Sequence, residues 1–122
     1  EKVIDHIYIL LTVFFTVVGQ ITMKWRLSGM PELPTSMIEK VVSLLLRFLD
    51  PFIFLSFISA FLAALSWMVV LTKFEISYAY PFMALNFLFV FVIGIFFLGE
   101  TVSISGLMGV ALIALGTFIL AR

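Results

Sequence analysis

From Ser77 to Glu100 the chain reads SYAYPFMALNFLFVFVIGIFFLGE, an apolar stretch long enough to cross a bilayer and free of charge until its last residue. It opens on Tyr78, Tyr80 and Pro81 and carries a single amide, Asn86, among aromatic and aliphatic side chains. Hydrocarbon offers the backbone no hydrogen-bond partners, so a run of this length is read as a transmembrane helix. What the rest of the chain must then explain is the amide.

Composition agrees with a membrane solvent. The chain has 122 residues, 64% hydrophobic and 11% charged, with mean hydropathy +1.30, whereas a soluble domain is about 25% charged. Each crossing of a layer about 30 Å thick takes about 20 residues, so four crossings use most of this length. Seven basic and seven acidic residues cancel, which argues against any electrostatic pull on nucleic acid. There is no cysteine, so disulfides, thiol catalysis and thiolate metal sites are excluded. His6 is the one histidine, and no ligand spacing accompanies it, so no metal or other cofactor is expected. Gly-rich phosphate loops, nucleophile elbows and paired carboxylates are also missing, and the expected activity is non-enzymatic.

Taken in order, the first crossing is read over residues 4–25, about 33 Å at 1.5 Å per residue. It is too long for a signal peptide's apolar region and ends in Lys24 and Arg26 without a small-residue cleavage site, so a retained anchor is expected. Thr12, Thr16, Gln20 and Lys24 recur every fourth residue and draw one slowly winding polar stripe. Such a stripe belongs against protein or water rather than lipid. The segment LSGMPELPT, with one glycine and two prolines, is a loop. An amphipathic helix is then expected over residues 36–50, opened by Ser36 and Glu39 at capping-box spacing and suited to the membrane interface.

Asp50 and Pro51 read as the cap and first residue of a second crossing over residues 51–72, in which Ser59, Ala63 and Ser66 share a close-approach face with Trp67 to one side. The third crossing covers 77–98 and ends at Gly99, a helix C-cap. Ser103 is expected to cap the fourth, over residues 104–120, where Gly109 and Gly116 share a face fitted to helix packing. The fold class is therefore an all-α, single-domain membrane protein of four crossings plus one interfacial helix. Lys2, Lys73 and Arg122 on one side oppose Lys24, Arg26, Lys40 and Arg47 on the other, a balance too even to orient the chain.

No Asp or Glu lies in the interior of any crossing, Asp5 and His6 standing at the mouth of the first. An exporter that exchanges protons for cations needs a membrane carboxylate, so that mechanism is disfavoured. Gln20 and Asn86 serve either as interhelical hydrogen-bonding groups or as contacts to a substrate headgroup. On a straight helix Tyr80 and Pro81 point away from Asn86, and they converge on it only if Pro81 bends the helix. Tyr78 and Tyr80 are equally suited to anchoring at the interface. Among the cations of the first loop region, Arg26 and Arg47 are the better phosphate forks, although snorkelling to lipid headgroups uses the same side chains. Glu100 stands where a solvated carboxylate favours the start of the next helix.

Three segments carry a resemblance. GQITMK from Gly19, AYPFMALNFLFV from Ala79 and GETVS from Gly99 resemble the short four-helix members of the drug/metabolite transporter superfamily. Within it they are most similar to the paired subunits that flip aminoarabinose-phosphoundecaprenol, and more distantly to small multidrug resistance proteins. The resemblance implies a lipid-linked sugar translocase of a bacterial inner membrane, working as a homodimer or with a similar subunit. The recurring polar positions of that family match Gln20, Lys24, Tyr80, Pro81, Asn86 and Glu100. The glutamate essential in multidrug exporters is replaced here by Thr16, and the proline often found after the third-loop glutamate by Thr101. The expected groove is lined by Gln20, Lys24, Tyr78, Tyr80 and Asn86, with Arg26 and Arg47 catching the phosphate. A multidrug-type exporter and a non-transporting accessory subunit remain the alternatives.

Overall fold

The computed structural model describes residues 2–122, with side chains from Val3 onward. Glu1 and the side chain of Lys2, one of the cations in the orientation balance, lie outside the described part. In chain order the helices are α1 (Lys2–Ser28), α2 (Met37–Arg47), α3 (Pro51–Lys73), α4 (Ile76–Ala79), a 3-10 turn (Tyr80–Met83), α5 (Ala84–Phe97) and α6 (Ile104–Ala121). No strand occurs among the described residues. Among the described residues four segments are long and apolar enough to span a bilayer: Val3–Ser28, Pro51–Lys73, Ile76–Phe97 and Ile104–Ala121.

The closest packing is between α1 and α3. Their seam buries Ile9, Thr12, Val13 and Val17 against Ile53, Ser56, Ser59, Ala63 and Val70. Ser56, Ala63 and Val70 stand seven apart, the repeat that keeps one helix face against a left-handed partner. Small residues let the backbones approach. A Cβ placed on Gly19 would stand 3.0 Å from the Ser56 carbonyl oxygen, and the Ser59 hydroxyl donates to the Phe15 carbonyl at 2.6 Å. Ser66 lies off this seam, its hydroxyl turned back on the Leu62 carbonyl at 3.1 Å, so Ser56 and not Ser66 completes the small-residue face. Outside the seam, Phe14, Phe61, Phe96 and Phe118 are exposed, as side chains solvated by lipid can be without penalty.

The helix ends follow local chemistry, with one correction. Asp50 caps α3, its Oδ2 accepting from the Phe52 and Ile53 amides at 3.1 Å. Ser103 caps α6 by accepting from the Gly106 amide at 2.9 Å. Gly99 takes φ +71° after α5, where a side chain would be strained. The capping box at Ser36 does not form: its hydroxyl makes no cap bond, and the helix is opened instead by its carbonyl accepting from Lys40 N–H at 2.8 Å. The interfacial helix itself is present, shorter than expected because the chain tightens after Arg47 into bonds such as Asp50 N–H to Arg47 O at 3.0 Å. It buries no residue, leaving its apolar face for the membrane interface.

The third crossing is not one straight helix. Pro81 has no N–H to continue the α pattern, and Tyr80–Met83 overwinds into a 3-10 turn. This turn packs on α6, where buried Thr117 donates to the Ile113 carbonyl at 2.8 Å and lies 3.4 Å from the Pro81 carbonyl. The expected Gly109 and Gly116 packing face is unused within the chain, since a Cβ at either would meet nothing within 4 Å. Gly106 is the glycine that touches α5, against the Phe91 ring.

Candidate functional site

Midway through the bundle, α1, α3 and the third crossing border an open cavity of about 470 Å³ lined by Thr12, Thr16, Ala60, Ala63, Ala64, Trp67, Tyr80, Met83 and Asn86. The three alanines of α3 leave the space that larger side chains would fill. Trp67 and Tyr80 form one wall, their ring centroids 6.1 Å apart at 70°. The 3-10 turn is what brings Tyr80 to this cavity: each of its residues rotates about 120° instead of about 100°, swinging Tyr80 round toward the face of Asn86.

Asn86 is the unsatisfied group. Its Nδ2 lies 4.0 Å from Met83 Sδ, a weak acceptor, which points the amide oxygen the other way. That Oδ1 is buried and has no hydrogen-bond partner. Leaving a buried acceptor unpaired costs about 1–3 kcal/mol, so the site fits a ligand that brings a donor. Thr12 Oγ1 already donates to the Tyr8 carbonyl at 2.8 Å and has acceptor capacity left for the cavity.

The other expected site residues fall into separate places. Gln20 is exposed, further along the stripe. Lys24 Nζ stands 4.0 Å from Glu100 Oε2, their side chains 59% and 50% exposed, a loose pair contributing about 0–1 kcal/mol. Glu100 does not cap α6. It folds back over Gly94, where a Cβ would sit 2.7 Å from its Oε1, so that glycine is the seat that lets the carboxylate reach toward Lys24. Tyr78 lies at the opposite end, its hydroxyl 3.0 Å from His6 Nε2, with the Phe74 ring stacked at 5.6 Å. These residues, with Lys73 and Glu75, line a second pocket of about 360 Å³. Tyr78 and Tyr80 therefore line different pockets.

Arg26 and Arg47 do not meet either. Arg26 grips Asp50, Nε at 2.8 and 3.0 Å from its two oxygens and Nη2 at 2.8 Å, with the guanidinium 5.5 Å from the Phe52 ring centre. It braces the end of α1 against the start of α3. Arg47 donates to the Pro31 carbonyl at 2.5 Å and lines a pocket beside the loop with Glu32, Ser43 and Asp50.

Partial burial works to raise the Asp50 carboxyl, but the Arg26 hydrogen bond, the Ile53 and Phe52 amides and the Arg26 charge outweigh it and hold the group below its ordinary 3.8. A carboxyl lowered in the folded state stabilises fully above its unfolded value and loses that stabilisation as pH falls through the lowered one. Thermal unfolding in detergent micelles is thus expected to show an acid limb beginning near pH 4, flattened in Asp50→Asn. Identical acid limbs in both proteins would refute the brace.

Four apolar crossings, three of them lining a mid-depth cavity that holds one amide and two threonine hydroxyls, fit a small multi-pass membrane transporter. Comparison with known proteins narrows the class. A Pseudomonas fluorescens protein described as "Probable 4-amino-4-deoxy-L-arabinose-phosphoundecaprenol flippase subunit ArnE" is 31% identical, the match covering 93% of this chain and 94% of the relative. A Pseudomonas savastanoi pv. phaseolicola protein of the same description is 29% identical, with 88% of each chain covered. The chain belongs to this family of aminoarabinose-phosphoundecaprenol flippase subunits. No protein-family model and no solved structure matches it.

Sequence reasoning passed over Thr117, Met83 and the α3 alanines as site elements. It also missed the Arg26–Asp50 brace, although a base at the end of one crossing and an acid at the start of the next signal such a contact. Gly94, four residues before the helix-ending Leu98, carried no sign that a carboxylate would fold onto it.

Proposed function

We propose that this protein is one subunit of a flippase that passes the headgroup of a polyprenyl-phosphate-linked sugar across the bacterial inner membrane. The observation that carries the reading is the unpaired Asn86 oxygen in a cavity walled by three crossings. The relatives' names supply the lipid-linked sugar as substrate class. A helical rather than barrel architecture fits the inner membrane.

In this reading the sugar enters the cavity and hydrogen-bonds Asn86 while the lipid tail stays in the bilayer. On the far side of the α1–α5 contact, Leu10, Phe14, Val18 and Phe89 help line an almost wholly apolar crevice of about 290 Å³, in which an isoprenoid chain can lie. The phosphate meets Lys24 by replacing Glu100, an exchange the 4.0 Å separation of that pair makes easy. Tyr80 is 63% exposed at the cavity edge, and a second subunit, identical or similar, closes that side. Proton-driven cation export is disfavoured, because among the described residues no acidic side chain lines the cavity.

Translocation of a polyprenyl-phosphate sugar in proteoliposomes, with the partner subunit present where one is required, tests the reading. The Asn86→Leu, Lys24→Met double variant is expected to flip at about a tenth of the native rate or less, as the loss of two polar contacts implies. An unaltered rate would sink the site.

A further inference from the structure

At the end of the bundle remote from Lys24 lies the pocket of about 360 Å³ lined by His6, Lys73, Phe74, Glu75 and Tyr78, a size within the range of small-ligand clefts. A break between helices builds it. Phe74, extended at φ −129° and ψ 154°, ends α3, and the Tyr78 amide closes the following turn on the Glu75 carbonyl at 3.0 Å. Lys73 and Glu75 thus flank Phe74 as exposed side chains at the rim. Deeper in, half-buried His6 and Tyr78 hold each other at 3.0 Å, with the Phe74 ring edge-on to His6 at 4.9 Å and stacked on Tyr78. These ring contacts fix the Tyr78 hydroxyl in place. An anion in the pocket favours the arrangement in which His6 Nε2–H donates to the tyrosine oxygen and Tyr78 O–H donates to the anion.

The two ends of the bundle carry the same pair of charges. From His6 to Lys24, α1 rises about 27 Å at 1.5 Å per residue, close to the hydrocarbon thickness of about 30 Å. One end has Lys24 with Glu100; the other, where α3 returns to the start of α1, has Lys73 with Glu75. The Asn86 cavity lies between them. A substrate carrying an ammonium and a phosphate finds a partner for each charge at both ends, which a singly charged one does not.

We infer that the His6 pocket is a second headgroup station, which takes the phosphate of a lipid-linked aminosugar on Lys73 and the Tyr78 hydroxyl, and its amine on Glu75. This rests on the flippase reading for the polyprenyl tail and for the crossing between the two ends. Lysine alone would accept any phosphate. The carboxylate two residues away repels an anion that brings no cation, and so makes the site selective for an amine-bearing headgroup. An ethanolamine phospholipid presents the same two charges, but only a sugar brings a ring face for the Phe74 ring set between them.

His6 is the one histidine, so isotope-labelled histidine reports on this pocket alone. With the full chain in phosphatidylcholine nanodiscs, the His6 ring resonances are followed while two polyprenyl-phosphate lipids are added, one bearing an aminopentose and the other the unsubstituted pentose. The amino lipid is expected to half-saturate the shift at about fivefold lower concentration, what a partly exposed ion pair is worth at most. Glu75→Gln should abolish that advantage, and Lys73→Met should weaken both lipids by about the same factor. Both side chains are exposed, so neither change threatens the fold. A His6 signal indifferent to both lipids, an advantage that survives Glu75→Gln, undiminished binding to Lys73→Met, or an equal response to phosphatidylethanolamine would each overturn the station. Liposome translocation of the amino lipid keeps the two readings apart. If His6 responds as expected and nothing is flipped, the flippase reading fails alone; if the lipid is flipped and His6 stays silent, the station fails alone.

Discussion

A Gly19→Leu protein is expected to lose the α1–α3 seam and, with it, the cavity. The nearest obstacle to a new Cβ is backbone, the Ser56 carbonyl oxygen at 3.0 Å, with the Ser59 Cβ at 3.4 Å behind it. A flexible side chain would swing aside, but a carbonyl held in a helix can yield only if the two helices separate. Separation would also break the bond from Ser59 to the Phe15 carbonyl and uncover Thr12, now 1% exposed. Overpacking of this kind costs about 1–3 kcal/mol before those losses are counted. Gly109→Leu provides the contrast, because nothing in the chain lies within 4 Å of that position. Thermal unfolding in micelles should show a clearly lower midpoint for Gly19→Leu and an unchanged one for Gly109→Leu. Equal midpoints would mean that close approach at Gly19 does not hold the bundle together.

Asn86→Leu is expected to separate stability from activity. Leucine keeps asparagine's branching at Cγ, finds room for its larger bulk in the cavity, and removes an acceptor that is buried without a partner, so the unliganded protein should be stabilised by about 1 kcal/mol. Translocation should fall by about 10- to 100-fold, the equivalent of one good hydrogen bond to substrate. Paired measurement of melting midpoint and liposome flipping decides the matter. A destabilised variant would show that Asn86 pairs within the bundle or with the second subunit, and that the cavity oxygen is structural.

The same contrast between neighbouring and distant partners explains how much could be read in advance. Helix positions were legible from Asp50, Pro51, Gly99 and Ser103, because a cap acts on amides or carbonyls a few residues away. Ser36 failed as a capping-box residue because α2 is stabilised by its interfacial apolar face, and at a solvated helix end water satisfies the free amides that the box would otherwise hold. The site was partly legible. Thr12 and Thr16, the first half of the polar stripe, line the candidate cavity together with Asn86, whereas Gln20 and Lys24 lie outside it. Yet Tyr80 reached Asn86 only through the overwound turn at Pro81, and Tyr78, two residues earlier, was carried to His6. Arg26 and Arg47 shared a charge and a loop region but found different partners, the Asp50 carboxylate and the Pro31 carbonyl.

The sequence by itself determined that this chain lives in a bilayer, crosses it four times and holds two amides, Gln20 and Asn86, and no acid in the interior of its crossings, because hydropathy and helix length act residue by residue along the chain. Tertiary structure alone decided which polar groups share a space. Close approach at Gly19 sets α1 against α3, the turn at Pro81 aims Tyr80 at a cavity that α1 and α3 complete, and Gly94 seats Glu100 where it reaches toward Lys24 of α1, each outcome depending on a partner far away in the chain.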